Sequence, residues 1–368
     1  MSQNKEVKTE TGFKAFCKKQ GIEVTFQAIV IQALGAMAHG LFASLLIGTI
    51  IRTIGQHVPG LGFMDEWGLY ATAVTGAAMA VAIGYALKAP PFVLYSLLAV
   101  GSAANALGGA GGPLAVFFIA VIATYAGKFV SKTTPVDLIL TPFVTIMVGV
   151  FVATLLAPPI GNAASSIGNF IVWATELQPL LMGVLVALVM GIALTLPISS
   201  AAIAAAFGLT GLAGGAALAG CAAHMVGFAV ASYRENKVGG LLAQGLGTSM
   251  LQVPNLMRKP VLWMPAVVAS VISGPIATML FRLQMNGAPI SSGMGTSGLV
   301  GPIGVITGWF NPSERAADLG AYAITPSVVD WLGLILIAIV IPAVVAFVVS
   351  ELMRKSGVIK PGDLKIEC

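Results

Sequence analysis

Long uncharged apolar runs, separated by short charged segments, form the main pattern of this chain. A bilayer core of about 30 Å needs roughly 20 apolar residues for each helical crossing, so the runs can be divided by that length. The single crossings that this division predicts lie over residues 24–51, 67–87, 138–156, 261–281 and 331–350. We therefore expect an all-α integral membrane protein.

Two of the runs are too long for one crossing. Residues 91–127 contain the glycine-rich stretch 107–113, which predicts a turn between two crossings. Residues 177–233 fit either two long crossings or three short ones, separated near Pro197 and Gly214–Gly215. Three crossings place the basic residues that follow on the same side as the N-terminal lysines, which favours three. The total is then about ten transmembrane helices.

Two features suggest where the helices end. Asp65 and Glu66 predict a charged loop after the first crossing. The pair Pro158-Pro159 predicts the end of the fifth crossing, because proline removes a helical hydrogen bond and clashes with the preceding turn. The polar stretch 161–176 that follows is expected at the membrane interface, with a membrane-spanning segment as the alternative.

Composition excludes a water-soluble globule. Only 9% of the residues are charged, against roughly 25% in soluble domains, and 57% are hydrophobic. The net charge of +5 comes largely from lysines and arginines near the termini and in short loops, so it indicates membrane topology rather than a nucleic-acid partner. These charges predict cytoplasmic termini in a plasma membrane. Residues 1–23 form a cytoplasmic amphipathic segment in this scheme, 24–355 the transport domain and 356–368 a cytoplasmic tail.

Two uncharged segments that fit no simple crossing share a motif. Gly245-Leu-Gly-Thr-Ser-Met-Leu-Gln-Val-Pro254 matches Gly293-Met-Gly-Thr-Ser-Gly-Leu-Val-Gly-Pro302 at six of ten positions. We call residues 245–249 the first Gly-Thr-Ser turn and residues 293–297 the second Gly-Thr-Ser turn. A second echo pairs Pro197-Ile-Ser-Ser200 with Pro289-Ile-Ser-Ser292.

Both segments, about 238–257 and 283–310, are expected to be re-entrant hairpins that enter the membrane from opposite faces. Irregular backbone is tolerated at that depth only where protein or a water-filled cavity satisfies its polar groups. Glycine lets such a backbone turn, and threonine and serine offer hydroxyls to a polar ligand. Interrupted segments of this kind are typical of a transporter's binding site. The alternative is a pair of surface loops.

The candidate substrate-binding residues follow from these hairpins and from the two histidines predicted near or inside crossings. An ionisable group within a bilayer is costly, which favours a function for His39, although a neutral imidazole bonded to a neighbouring helix is equally consistent. His224 can also lie near the cytoplasmic interface. Gln244, Gln252 and Asn255 suit either a polyhydroxylated substrate or helix capping. The remaining candidates are the hydroxyl residues Thr248, Ser249, Ser291, Ser292, Thr296 and Ser297.

No catalytic or cofactor motif is found in the sequence. Cys17, Cys221 and Cys368 are too scattered for a disulfide framework or a metal cluster. The tract Gly108–Gly112 is not followed by the Lys-Ser/Thr pair of a phosphate-binding loop. We therefore predict no catalytic residue, no metal and no cofactor.

The chain resembles the membrane subunit of the phosphotransferase system, the IIC component, and its perfringolysin-regulator-like branch. The resemblance rests on the Lys-rich start, the first Gly-Thr-Ser turn and the sequence Pro-Ile-Ser-Ser-Gly-Met-Gly-Thr-Ser over residues 289–297. It implies a ten-helix dimeric carrier with re-entrant hairpins, which takes up a sugar while separate IIA and IIB proteins supply phosphate. The Gly-Ile-Thr-Glu element of glucose-type members has no counterpart here, which leaves the sugar open.

The function expected from this resemblance is a permease subunit of a phosphoenolpyruvate-dependent sugar phosphotransferase system, moving a sugar or polyol across the plasma membrane. Two alternatives stand beside it. One is an ion-coupled secondary transporter for another small polar solute. The other is a membrane-embedded regulator that senses a ligand without flux.

Overall fold

The computed structural model describes residues 13–366, with side chains from residue 15 onward, and within that range it is helical. Lys5, Lys8 and Cys368 lie outside the described residues. In chain order the helices are α1 (Phe13–Lys19), α2 (Gln27–His57), α3 (Phe63–Ala73), α4 (Thr75–Ala86), α5 (Pro91–Gly108), α6 (Gly112–Val130), α7 (Asp137–Thr175), α8 (Pro179–Thr195), α9 (Ser200–Ala206), α10 (Gly211–Ala231), α11 (Tyr233–Leu242), α12 (Val253–Arg258), α13 (Pro260–Leu280), α14 (Pro289–Ser292), α15 (Val300–Phe310), α16 (Glu314–Asp318) and α17 (Val328–Lys355).

Six of the described helical segments are long and apolar enough to cross a membrane, and the pair α3 and α4, bent by 46°, would make a seventh. One of the six, Pro91–Val130, is itself folded into a hairpin of α5 and α6. A Cβ on Gly127 would lie 2.8 Å from Val93 Cγ2, and one on Gly108 would lie 3.0 Å from Ala115 Cβ, so the two helices run antiparallel. An all-helical, multi-pass membrane protein is thus confirmed, whereas the number ten remains a prediction.

Helix α7 corrects two of the predicted helix ends. It continues through Pro158-Pro159 to Thr175 as 39 residues, a length of roughly 58 Å. Both prolines lie inside the helix, where each removes a hydrogen bond to the preceding turn. Tight packing of α7 on α5 offsets this cost, since a Cβ on Gly161 would lie 2.6 Å from the Gly108 carbonyl oxygen. Residues 161–175 are therefore helical, whatever their depth.

The charged loop predicted at Asp65 and Glu66 is also corrected. Both residues lie in the first turn of α3, where carboxylates are favoured by the helix dipole. Asp65 accepts a hydrogen bond of 2.7 Å from Arg52 at the end of α2, so the pair joins the two helices across the short loop at residues 58–62.

Helices α8 and α10 run parallel, as Ala187 packs against Gly220 and Thr195 against His224. The fifteen residues between them, including α9, therefore lead the chain from the end of α8 back toward the level at which α8 begins. Since α9 has only seven residues, three crossings in residues 177–233 remain a prediction, and the predicted break at Gly214–Gly215 is wrong. Both glycines lie inside α10, where the main chain of residues 283–285 approaches so closely that a Cβ on Gly215 would lie 1.9 Å from Leu283 oxygen.

The chain after α17 folds back onto α11 and α12. We call residues 356–366 the C-terminal segment. Asn236 donates to the carbonyl oxygen of Leu364 over 2.8 Å and accepts from the N–H of Ile366 over 2.9 Å. Within this segment, the side chains of Ile359 and Leu364 are buried against Leu256 of α12 and its neighbours. This segment thus covers the helices on either side of the first Gly-Thr-Ser turn.

Candidate functional site

The two Gly-Thr-Ser turns are in direct contact. Thr296 in the second turn donates a hydrogen bond of 2.5 Å from its hydroxyl to the carbonyl oxygen of Gly245 in the first. Gly295 lies at φ +54° against Cys221 of α10, where a Cβ would come within 2.8 Å of the Cys221 main chain. Glycine tolerates that φ and that proximity, which explains the residue at this point of the motif.

A buried polar cluster lies beside this contact. The hydroxyl of Thr195, at the end of α8, is 2.9 Å from Nδ1 of His224 and 2.8 Å from the hydroxyl of Ser249. All three residues are fully buried. The rings of Phe228 and Trp263 pack around the imidazole at 5.9 and 5.8 Å between centroids. The Nε2 of His224 has no hydrogen-bond partner among the described residues, so this network is only partly satisfied.

The two Pro-Ile-Ser-Ser elements also meet. The hydroxyl of Ser200, in the first copy, donates over 2.7 Å to the carbonyl oxygen of Gly293, directly after the second copy. Ser199 caps α9 by accepting from the N–H of Ala202, and its own N–H donates to the Ala110 carbonyl oxygen at the α5–α6 hairpin. Both sequence echoes are therefore neighbours in space.

A cavity of about 60 Å³, which we call the central cavity, lies where these elements converge. Its polar lining consists of hydroxyl groups, and none of the described residues that line it carries a charge. The lining comprises Leu41, Leu45, Leu46, Pro113, Leu194, Leu196, Pro197, Ile198, Ser199, Ser200, Ala201, Gly247, Thr248, Met250, Met294 and Ser297. Since ligand pockets usually measure about 300–1,000 Å³, the central cavity is too small in this conformation to hold a sugar, and we call this the closed conformation.

Ser297 is the unsatisfied group of the central cavity. Its hydroxyl is buried and has no hydrogen-bond partner among the described residues. Its counterpart Ser249 is bonded to Thr195, and Thr248 accepts from the N–H of Met250. A buried hydroxyl without a partner costs free energy unless a ligand or water satisfies it. Ser297 is therefore the candidate best placed to bind a polar solute.

Among the predicted site residues, the four turn hydroxyls and His224 come together, but only Thr248 and Ser297 line the central cavity. Ser291 and Ser292 lie outside the lining, just before the second Gly-Thr-Ser turn. Ser292 donates to the carbonyl oxygen of Pro289 within its own short helix. Ser291 packs closely against α15, where a Cβ on Gly304 would lie 2.5 Å from it. Both serines belong to the short helix α14.

The three predicted amide residues are bonded to protein groups away from the central cavity. Gln244 donates to the Ser232 hydroxyl over 2.8 Å. Gln252 donates to the Leu364 carbonyl oxygen over 3.0 Å, and Asn255 to the Lys365 carbonyl oxygen over 2.9 Å. The last two therefore bind the C-terminal segment, a partner that the sequence did not reveal.

His39 lies apart from the buried cluster. It is exposed on α2 and lines a second cavity of about 380 Å³, together with Asn236, Gly240 and Ile366 of the C-terminal segment. Phe42 lines this cavity too, and its ring packs on Gly247, which lines the central cavity. The Phe42 ring thus stands between the two spaces.

Thr195 was missed by the sequence analysis, although it links His224 to Ser249. It is one threonine in an otherwise apolar run of α8, which carries no signal of its own. Only the recognition that α8 and α10 run parallel brings it next to His224.

The family model for the phosphotransferase system EIIC matches residues 31–366 of the chain. The chain belongs to the phosphotransferase system EIIC family. No curated protein and no solved structure matches it. Membership in the EIIC family indicates a membrane component of sugar transport, with a sugar substrate and usually with IIA and IIB partners. The perfringolysin-regulator-like branch remains a prediction.

Proposed function

We propose that this EIIC chain is the permease subunit of a sugar phosphotransferase system and moves a neutral sugar or polyol through the central cavity. In this proposal the chain crosses the plasma membrane about ten times with both termini cytoplasmic, and residues 238–257 and 283–310 are re-entrant hairpins. The chain works as a homodimer.

The unpartnered hydroxyl of Ser297, in a mostly apolar and uncharged lining whose side-chain polar groups are all hydroxyls, is the observation that carries this proposal. Hydroxyls donate and accept hydrogen bonds without charge, which suits a polyhydroxylated solute. A charged solute in such a lining would be desolvated without an ionic partner, and that is costly. The lining therefore favours a neutral substrate.

Transport requires the closed conformation to open. The contact between the two turns is the place where we propose that it opens. Thr296 and Gly245 form a direct hydrogen bond between the two hairpins. Residues 42–46 of α2 and 243–247 beside it form π-helical turns, which are frequent at functional sites. We propose that separation of the two turns admits the solute, as broken helices do in other transporters.

Phosphorylation is assigned to a separate IIB partner on the side of the C-terminal segment. The cavity next to His39 opens on that side and is bounded by Ile366. A solute released past Phe42 would enter this cavity. His39 is thus proposed to contact the solute late in its passage rather than in the central cavity.

Uptake by the purified chain in proteoliposomes tests the proposal. Labelled neutral sugars and polyols are supplied with and without a phosphorylated IIB protein. We expect accumulation of phosphorylated solute only with IIB, and about three- to tenfold lower uptake at low solute concentration in Ser297→Ala. Accumulation of unmodified solute driven by an ion gradient alone would contradict the proposal and support a secondary transporter. Ligand-dependent binding of a partner without flux would instead support a regulator.

A further inference from the structure

A larger polar pocket, here called the mouth pocket, lies at the end of the molecule opposite the C-terminal segment. It has a volume of about 490 Å³, within the range usual for small-molecule sites. It lies beside the first turns of α17, and the C-terminal segment follows the far end of that 28-residue helix, roughly 42 Å away. The mouth pocket and the central cavity share no lining residue.

An aromatic pair, Trp309 and Trp331, lies at the mouth pocket, and Trp309 forms part of its wall. Trp309, at the end of α15, lines it and is only 3% exposed. Its ring meets the ring of Trp331 edge to face, with centroids 4.9 Å apart, which fixes its orientation. Tyr322 lines the pocket nearer to solvent. Fixed aromatic rings of this kind offer an apolar face to a ring-shaped ligand.

The polar groups of the pocket include one that the protein leaves unused. Thr210 lines the pocket and is 7% exposed, and its hydroxyl has no hydrogen-bond partner among the described residues. Asn286 and Gln284 supply amide groups beside it, joined by a hydrogen bond of 3.1 Å. An unpaired buried hydroxyl next to amides can bind a ligand hydroxyl without losing an existing bond.

The charges of the pocket disfavour a cationic ligand. Arg282 and Asp330 both line it and are opposite in sign. The Asp330 carboxylate already accepts hydrogen bonds from the N–H and the hydroxyl of Ser327, at 2.8 and 2.7 Å, as the cap of α17. It is therefore engaged in the fold and is a poor partner for a ligand ammonium group.

We propose that the mouth pocket is a second binding site for a neutral polyhydroxylated solute, a sugar or polyol, held by the Thr210 hydroxyl and the amides of Gln284 and Asn286 against Trp309. The inference rests on the proposed function for the class of solute. Binding at the mouth pocket does not require the central cavity to open, so the two sites can be tested separately.

Tryptophan fluorescence gives a direct measurement. The chain has five tryptophans, so replacing Trp67, Trp173 and Trp263 by phenylalanine leaves only the pair in the mouth pocket as reporters. The full-length protein in lipid nanodiscs is titrated with a panel of hexoses, disaccharides and hexitols, with zwitterionic amino acids as the comparison. We expect a saturable change in emission with at least one sugar or polyol.

Thr210→Val is the decisive variant, because it removes an unbonded hydroxyl and leaves the size of the side chain unchanged. We expect it to fold with undiminished thermal stability and to weaken solute binding by about three- to tenfold, the loss of one hydrogen bond. Thr124→Val is the matched control, since Thr124 also has a buried hydroxyl without a partner among the described residues but lies in α6. It should bind as the parent does.

Three results would overturn the inference: no saturable change with any sugar or polyol, saturation by amino acids alone, or unchanged affinity in Thr210→Val. Failure of the proposed function has a different signature. Ser297→Ala in the reporter background should titrate normally at the mouth pocket, whereas its uptake in proteoliposomes should fall. Normal uptake by Ser297→Ala would count against the central cavity and leave the mouth pocket standing.

Discussion

The two Gly-Thr-Ser turns have the same sequence motif and different bonding. In the first turn, Thr248 caps its own backbone and Ser249 is bonded to Thr195. In the second turn, Thr296 reaches across to the first, and Ser297 has no partner among the described residues. Both hydroxyls of the first turn are thus bonded without help from the second turn, whereas the second turn bonds one hydroxyl to the first turn and leaves the other unbonded.

The surroundings of the two turns account for this difference. The helix after the first turn is bonded to the C-terminal segment through Gln252 and Asn255. The second turn follows the short helix α14 and is held through glycine contacts with Ser200 and Cys221. A duplicated motif can therefore supply one anchored half and one half whose hydroxyl lines the central cavity.

The largest expected difference is between alanine substitutions of Gly245 and Gly293, which occupy the same position in the two motif copies. A Cβ on Gly293 would lie 2.3 Å from the Ser200 carbonyl oxygen, whereas one on Gly245 would meet only the Ala229 Cβ at 3.7 Å. We expect Gly293→Ala to lower the free energy of unfolding by about 3 kcal/mol and to abolish uptake, because the obstacle is main chain. Gly245→Ala should change stability by less than about 1 kcal/mol. Thermal unfolding in detergent measures both, and equal effects would break the comparison.

The next largest difference is expected between valine substitutions of the two equivalent threonines, Thr248 and Thr296. Thr296→Val removes the bond between the turns, so the closed conformation should open more often, while Thr248→Val removes only a cap worth about 1 kcal/mol of stability. The buried thiol of Cys221, packed on Gly295, reports opening when Cys17 and Cys368 are replaced by serine. We expect maleimide to label Cys221 about tenfold faster in Thr296→Val, for a bond near 1.4 kcal/mol. Labelling of Thr248→Val should match the parent, and equally slow labelling of both variants would contradict the role of the inter-turn bond.

The smallest expected effect concerns the anchor of the first turn. Burial alone would raise the pKa of Asp363, but hydrogen bonds from the Lys259 ammonium and the Lys360 N–H hold that pKa below its usual value. A lowered pKa contributes stability above about pH 4, which is lost as the pH falls below it. Asp363→Asn should therefore cost less than about 1 kcal/mol at pH 7, because both side chains are partly exposed. In thermal unfolding, the difference in stability between the parent and Asp363→Asn should shrink on acidification below pH 4. A difference that stays constant with pH would contradict a lowered pKa of Asp363.

The apolar pattern predicted the long crossings well, since an uncharged run of about 20 residues has few other structures available. Residues 261–281 and 331–350 were expected to cross, and the helices span Pro260–Leu280 and Val328–Lys355. Breaks inside runs were less predictable. Pro158-Pro159 continue α7, and Gly214–Gly215 pack against main chain instead of ending a helix. Whether glycine or proline breaks a helix depends on the neighbour it meets, and the local sequence does not contain that neighbour.

The candidate site was predictable where the motif repeats and not elsewhere. The two copies indicated Thr296, Ser297 and their counterparts, and the structure places them together. Thr195 had no local signal. Gln252 and Asn255 bind main-chain oxygens more than 100 residues away, which any sequence could provide. Chemistry carried by a repeated pattern can be inferred from sequence, whereas contacts made by the fold alone cannot.

The most direct test of the central cavity as the solute site compares Ser297→Ala with Ser249→Ala in stability and uptake. Ser297→Ala removes an unbonded hydroxyl, so thermal stability should be unchanged or higher while uptake at low solute concentration falls about three- to tenfold. Ser249→Ala breaks the bond to Thr195 and should lose about 1 kcal/mol of stability. If Ser297→Ala keeps the uptake kinetics of the parent, the second turn does not bind the solute and the central cavity is not the transport site.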